Sequence, residues 1–113
     1  MTTDRELLEA AAKEAGLDLQ HKPLFSGDAE PGYYDYSGGT PKWTWWNPLT
    51  DDGDAFRLAV KLRLDMQISD YGTSARNARD FTWHGCAAHL HGGIEAATRL
   101  AIVRAAAALG ASK

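Results

Sequence analysis

The apolar residues of this 113-residue chain follow two different periods, and the change between them limits the folds it can adopt. Three segments carry apolar residues at steps of three and four, the spacing of one face of an α-helix. Between the second and third segments, residues 62–69 alternate between apolar and polar side chains, which is typical of a half-buried β-strand. Because the length is that of one ordinary domain, we predict a single α+β domain spanning residues 1–113.

The first two helical segments have recognisable starts. Thr3 and Glu6 have the spacing of a capping box at the start of the first helix, and Gly16 is suited to end that helix. The second helix follows the tryptophan-rich stretch, and Thr50 or Asp51 is its predicted N-cap.

The third helical segment is rich in alanine and is predicted to run from about Ile94 to Leu109, with Gly110 ending it. The small alanine side chains predict that this helix packs closely against the elements beside it. Arg99 and Arg104 are predicted to project away from the apolar face.

The alternating segment predicts the first strand of a small sheet, with Leu62, Leu64, Met66 and Ile68 as its apolar positions. The sequence YGTSARNA predicts a turn and a second strand, and RDFTWHG a third, with Phe81 and Trp83 on one face. This order favours an antiparallel meander of about three strands between helical layers. Residues 20–44 are predicted to form a surface loop with a short aromatic hairpin turning at Gly38-Gly39.

The composition favours a cytoplasmic protein with a core that needs no disulfides. Hydrophobic residues make up 44% of the chain, and the single cysteine fits a reducing compartment. The first 16 residues carry acidic side chains and no apolar run, so they do not resemble a signal peptide. The longest apolar stretch is too short to cross a bilayer.

Three tryptophans within residues 43–46 precede three aspartates within residues 51–54, and these two clusters have two interpretations. Indole rings beside carboxylates suit a cationic or sugar-like ligand. Alternatively, the tryptophans pack on the core and the aspartates cap the second helix, whose dipole favours negative charge there. We predict the second arrangement, with a structural anchor formed by Trp46, Asn47, Pro48, Asp51 and Asp54. The acidic spacing and distant glutamate of a calcium loop are missing.

Four metal-ligating side chains lie within eight residues, at His84, Cys86, His89 and His91. In an extended segment the first two share one face and the last two share the other, so a tight loop is needed to bring all four together. We therefore predict no metal and no cofactor, with a zinc-binding module as the alternative. Cys86 beside a histidine also lacks an evident third group for nucleophilic catalysis, and we predict that the protein is not an enzyme.

Nucleic-acid binding is a second alternative. Arg76, Arg79, Arg99 and Arg104 could converge near the tyrosine-rich loop, where bases would stack. The formal net charge of −3 and the absence of a basic block make a nucleic-acid partner the weaker prediction.

The segments WWNPLTDDGDAFRLAVKL and AATRLAIVRAAAALG, with the opening helix, resemble the phage alpha-beta-alpha sandwich domain family, short proteins of tailed phages and prophages. The matching positions are Trp46, Asn47, Pro48, Asp51, Asp52, Asp54, Ala55 and Leu58, then Ala96, Ala97, Thr98, Arg99, Ala101, Ile102, Val103, Arg104 and Ala105. The resemblance implies a three-layer alpha-beta-alpha sandwich with three helices and a small central sheet. It transfers no activity, because a shared fold does not confer one.

These observations predict a non-enzymatic phage accessory protein that binds a host or phage protein in the bacterial cytoplasm. Aromatic side chains on a loop make good anchors for a partner. The predicted partner-binding residues are Tyr33, Tyr34, Tyr36, Trp43 and Trp45.

Overall fold

The computed structural model describes residues 3–23, 29–77 and 82–111 of the chain. Within these residues it contains three α-helices and two antiparallel sheets of three strands each, which confirms the predicted α+β class and the three helices. The elements are α1 (Asp4–Glu14), β1 (Gln20–Pro23), β2 (Ala29–Asp35), β3 (Lys42–Trp45), α2 (Asp52–Lys61), β4 (Asp65–Ile68), β5 (Gly72–Arg76), β6 (His84–Ala87), a 3-10 turn (Ala88–Leu90) and α3 (Ile94–Ala111). Strands β1 to β3 form the first sheet, and β4 to β6 the second.

The starts of α1 and α2 are capped as the sequence predicts. The Glu6 backbone N–H donates to the Thr3 hydroxyl at 3.1 Å, and the Thr3 backbone N–H donates to the Glu6 carboxylate at 3.3 Å. Asp51 is the N-cap of α2, and its carboxylate accepts from the Asp54 N–H at 2.8 Å. Of the two predicted caps for α2, the structure therefore uses Asp51.

Helices α1 and α2 end in the same backbone motif, but a different residue occupies its left-handed position in each. Gly16 follows α1 with φ of +78°, and Arg63 follows α2 with φ of +52°. In each motif the next residue donates to the helix carbonyl five positions earlier, at 2.9 Å from Leu17 and 3.0 Å from Leu64. The predicted stop at Gly16 is confirmed, whereas α2 ends through a non-glycine residue in the left-handed region.

Helix α3 continues beyond its predicted end, because Gly110 lies inside the helix and Ala111 is the last helical residue. The prediction that Gly110 ends the helix was wrong. Glycine lowers helix stability by about 1 kcal/mol but does not prevent a helix, and the turn before it remains supported because Leu109 is buried.

The sequence predicted a sheet between helical layers. In the structure, helix α3 lies in the middle of the molecule instead. One face packs on the second sheet through the fully buried Ala97, Ala101 and Ala105. The opposite face packs on α1 and α2 through Ile102, Val103 and Ala106. The first sheet joins this α1–α2 side through Tyr33 and Trp46.

The second sheet is an antiparallel meander in the order β4-β5-β6, as predicted. Its first strand is shorter than the alternating segment, because Leu62 to Leu64 form the end of α2. Its third strand is His84–Ala87, whose first two residues are the last two of the predicted RDFTWHG segment. Phe81 lies outside the described residues, and Trp83 directly precedes the strand.

The first sheet replaces most of the predicted surface loop at residues 20–44. The hairpin around Gly38-Gly39 is confirmed, since β2 and β3 pair across this turn and Gly39 has φ of +84°. The prediction missed β1, which pairs with β2 along the other edge. Strand β1 is mostly exposed and polar, so its sequence carries no apolar alternation.

Candidate functional site

The first sheet presents an outward face with three aromatic side chains. Directly paired residues of an antiparallel sheet project to the same side. The register pairs Tyr34 with Trp43, Gly32 with Trp45, and Lys22 with Glu30. Since these positions are two apart along each strand, they share one face. We call Lys22, Glu30, Tyr34, Trp43 and Trp45 the aromatic face.

The rings of the aromatic face form a continuous edge-to-face cluster. The centroids of Tyr34 and Trp43 are 5.1 Å apart with an interplanar angle of 72°, and those of Trp43 and Trp45 are 5.3 Å apart at 85°. These arrangements match the attraction between a ring edge and a ring face. The Lys22 ammonium lies 5.0 Å from the centre of the Trp43 ring, within range of a cation–π interaction. The central Trp43 is thus held from three sides, while Tyr34 is 38% and Trp45 49% exposed.

Gly32 provides the room for this cluster. A Cβ atom at this position would lie 2.6 Å from Cζ2 of Trp43 and 2.6 Å from the backbone oxygen of Thr44. The indole of Trp43 therefore lies directly over the glycine backbone. The indole N–H of Trp43 is buried and has no acceptor among the described residues.

The five predicted partner-binding residues are divided among three places. Tyr34, Trp43 and Trp45 lie together on the aromatic face, on a sheet instead of the expected loop. Tyr36 lies beyond the end of β2 and is 65% exposed. Tyr33 is on the opposite face of β2, where it packs against the core. Lys22 and Glu30 were missed. Lys22 reaches this face only through the pairing of β1 with β2, whereas Glu30 shares it with Tyr34 because both lie at alternate positions of β2.

The predicted anchor residues link the first sheet to α2. Trp46 is 5% exposed, and its backbone N–H donates to the oxygen of Pro31 at 3.0 Å. The Asp54 carboxylate accepts from the Asn47 N–H at 2.9 Å and from the Arg57 guanidinium at 2.7 Å. Pro48 is also fully buried. Together these contacts fix the direction in which the chain runs from β3 to α2.

The aspartates beside the tryptophans each have a protein partner. Asp51 caps α2, Asp52 pairs with Arg99, and Asp54 pairs with Arg57. Between Trp45 and this helix start lies an open cleft of about 440 Å³. Its lining includes the Asp51 and Asp54 carboxylates, which already contact Arg57. The cleft therefore forms a polar margin beside the aromatic face.

The histidine–cysteine segment is split between β6 and the turn after it. His84 and Cys86 lie in β6, whereas His89 is in the 3-10 turn and His91 follows it. Among residues 3–23, 29–77 and 82–111, no group of three or more His, Cys, Asp or Glu side chains is placed to hold a metal ion. Cys86 is 4% exposed, and burial raises the pKa of its thiol, although the nearby Arg104 acts in the opposite direction. The thiol is therefore poorly suited to act as a nucleophile at neutral pH.

The three described arginines of the nucleic-acid alternative, Arg76, Arg99 and Arg104, have separate partners. Arg76 pairs with Asp65 and lies 4.6 Å from the centre of the Trp83 ring. Arg99 donates to the backbone oxygen of Leu49 at 2.9 Å and to Asp52, and Arg104 donates to the Cys86 sulfur at 3.4 Å. Arg79 lies outside the described residues.

Arg99 and Arg104 were predicted to project away from the apolar face of α3, but in the structure both side chains contact neighbouring elements. The long side chain of Arg99 reaches the start of α2, and its exposure is 19%. Arg104 reaches across to β6. Both guanidinium groups therefore connect α3 to neighbouring elements.

No family model, curated protein or solved structure matches this chain. In the part of the chain that the structure describes, no helix has both the length and the apolar character needed to cross a membrane.

Proposed function

We propose that this protein is a small, non-enzymatic interaction protein of a phage or prophage, and that it binds a host or phage protein through the aromatic face. The observation that carries the proposal is the edge-to-face cluster of Tyr34, Trp43 and Trp45, whose outer rings are partly exposed. Tryptophan and tyrosine are enriched among the residues that dominate binding energy at protein interfaces.

The arrangement of the aromatic face fits a protein partner. Its centre is aromatic, and Lys22 and Glu30 supply charges at its margin. Protein interfaces combine an apolar centre with a polar rim in the same way. Because the rings are already held by the sheet and by each other, little side-chain freedom is lost on binding.

The phage assignment is supported by the resemblance of two sequence blocks, around residues 45–62 and 96–110, to the phage alpha-beta-alpha sandwich domain family. With this assignment, we propose that the protein acts in the cytoplasm of a bacterial host. The partner is then a host or phage protein present in that compartment.

The proposal is tested by affinity capture from host lysate with matched variants. We expect the wild type to retain a partner that Trp45→Ala and Tyr34→Ala retain about tenfold less, since truncating an interface aromatic costs about 1–2 kcal/mol or more. Tyr71→Ala is the control, because Tyr71 is 86% exposed but belongs to the turn before β5. Equal capture by the wild type and both aromatic-face variants would contradict the proposal.

Nucleic acid is the partner that must be excluded in the same experiment. Lysate is treated with nuclease, and each variant is also titrated with a fluorescent single-stranded oligonucleotide. Binding that requires the aromatic rings and weakens steeply with added salt would show a stacking platform for bases, which would overturn the assignment to a protein partner.

A further inference from the structure

An open apolar groove of about 560 Å³ lies between α2, α3 and β4, away from the aromatic face. It exists because α3 packs over β5 and β6 and leaves the inner side of β4 partly uncovered. Helix α2 forms the opposite wall. The groove is lined mainly by apolar side chains, among them Phe56, Ala59, Val60, Met66 and Ile68.

Three large apolar side chains in this groove are more than half exposed. Phe56 is 57%, Val60 60% and Ile68 62% exposed. Phe56 and Val60 are four residues apart on α2, so they stand together as a ridge along one wall. Single exposed apolar residues are ordinary, but several that line one concave surface indicate an interaction site.

The two ends of the groove carry opposite charges. Ile68 at the end of β4 pairs with Thr73, whose hydroxyl lies 2.6 Å from that of Thr98. The end of β4 therefore lies beside the first turns of α3, where Glu95 is exposed. Arg63 comes before the start of β4 and so lies at the other end.

Arg63 and Glu95 have no ion pair among the described residues, and both line the groove. The other two charged residues of the lining, Asp52 and Arg99, pair with each other. One cationic end and one anionic end are thus left to face a partner.

We propose that this groove docks a second copy of the chain across a two-fold axis. In a two-fold interface, if residue i of one copy contacts residue j of the other, then j also contacts i. A two-fold axis that crosses the middle of the groove at right angles to its length would place Arg63 of each copy against Glu95 of the other. The same axis would bring the Phe56–Val60 ridges of the two copies together, so that each ridge covers apolar surface of the other copy. The groove is therefore complementary to itself in both charge and hydrophobicity.

The apolar part of the interface is tested by light scattering and sedimentation over a concentration series. We expect a wild-type dimer, and a dissociation constant for Val60→Asp that is higher by about tenfold or more, because a carboxylate would be buried without a partner. Leu90→Asp is the matched control, since Leu90 is 70% exposed outside the groove, and it should dimerise as the wild type does. Circular dichroism and thermal unfolding verify that each variant is folded.

The charged part of the interface is tested by reversing the charges of Arg63 and Glu95. Arg63→Glu and Glu95→Arg should each raise the dissociation constant by about tenfold, because like charges would meet across the axis. The double variant carries both reversals, restores opposite charges at both ends, and should dimerise to within about threefold of the wild type.

A wild type that is monomeric throughout the concentration series would overturn the proposal. So would a dimer that Val60→Asp leaves unchanged, or a double reversal that remains as weak as the single ones. Tyr34→Ala and Trp45→Ala lie outside the groove and should leave the dimer intact, so this test is independent of the proposed function.

Discussion

Arg63 shows how a single residue departs from the geometry that its position favours. It occupies the same place in the helix-ending motif of α2 that Gly16 occupies in α1, with φ of +52°. A side chain in this left-handed region costs roughly 1 kcal/mol relative to glycine. Its charge lies at one end of the groove, so replacing it should affect stability and association in opposite directions.

We expect Arg63→Gly to stabilise the monomer by about 0.5–1 kcal/mol, since relief of the left-handed strain exceeds the extra freedom of glycine in the unfolded chain. The same change should weaken dimerisation, because Glu95 of the other copy loses its cation. Urea unfolding in the Val60→Asp background measures the first effect without linkage to dissociation. Gly16→Ala is the reciprocal control and should lower stability. A less stable Arg63→Gly monomer would refute the strain argument.

Cys86 should make stability depend on pH in the alkaline range. Burial raises the pKa of its thiol in the folded protein. The unfolded chain therefore loses this proton at lower pH, and the free energy of unfolding falls as the pH rises above the unfolded thiol pKa of about 8.5. Urea unfolding between pH 7 and 10 should show a steeper decrease for the wild type than for Cys86→Ala. Parallel pH profiles for the two proteins would contradict this prediction.

At the scale of elements, the aromatic face depends on close contact between β2 and β3. Gly32→Ala would place a methyl group within 2.6 Å of both Trp43 and the backbone of Thr44. We expect a loss of about 1–3 kcal/mol in the free energy of unfolding, because the ring or the strand has to move. Gly38→Ala is the control and should change stability by less than about 0.5 kcal/mol, since its Cβ would meet no atom within 4 Å.

The Gly32→Ala variant also tests whether the arrangement of the rings matters for the proposed function. Displacement of Trp43 should weaken partner capture, whereas Gly38→Ala should capture as the wild type does. Tryptophan fluorescence of the folded protein would report the displacement. An unchanged spectrum and unchanged stability would mean that the strands accept the methyl group, and that the glycine is not required there.

Elements whose signals are local were predictable from the sequence. The capping box at Thr3, the Asp51 cap and the Gly16 stop each depend on residues within one or two turns, and the structure has all three. Strand β1 was missed, because its residues gain their structure from pairing with β2. The aromatic face was found only in part for the same reason: the sequence indicated Tyr34 and the tryptophans, but the register selects which tyrosine faces outward.

At the scale of the whole molecule, the alanine content of α3 follows from its place between two layers. An amphipathic helix buries one stripe, but this helix is buried on two opposite faces, through alanines against the second sheet and through Ile102, Val103 and Ala106 against α1. Small side chains allow neighbouring elements to approach closely on both sides. Arg99 and Arg104 then tie the same helix to α2 and β6. The sequence indicated that α3 packs closely against its neighbours. Its apolar pattern marked only one face, so packing against two layers was not predicted.

This central position makes α3 intolerant of larger side chains on either buried face. Ala101 is fully buried against the second sheet, so Ala101→Leu should lower the free energy of unfolding by about 1–3 kcal/mol as the sheet is displaced. Ala108→Leu adds the same side chain to the same helix at a partly exposed position and should have an effect within about 0.5 kcal/mol. Thermal and urea unfolding of both variants in the Val60→Asp background would measure the difference. If the two substitutions had equal effects, the second sheet would not press closely on α3, and the helix would not be the centre of the core.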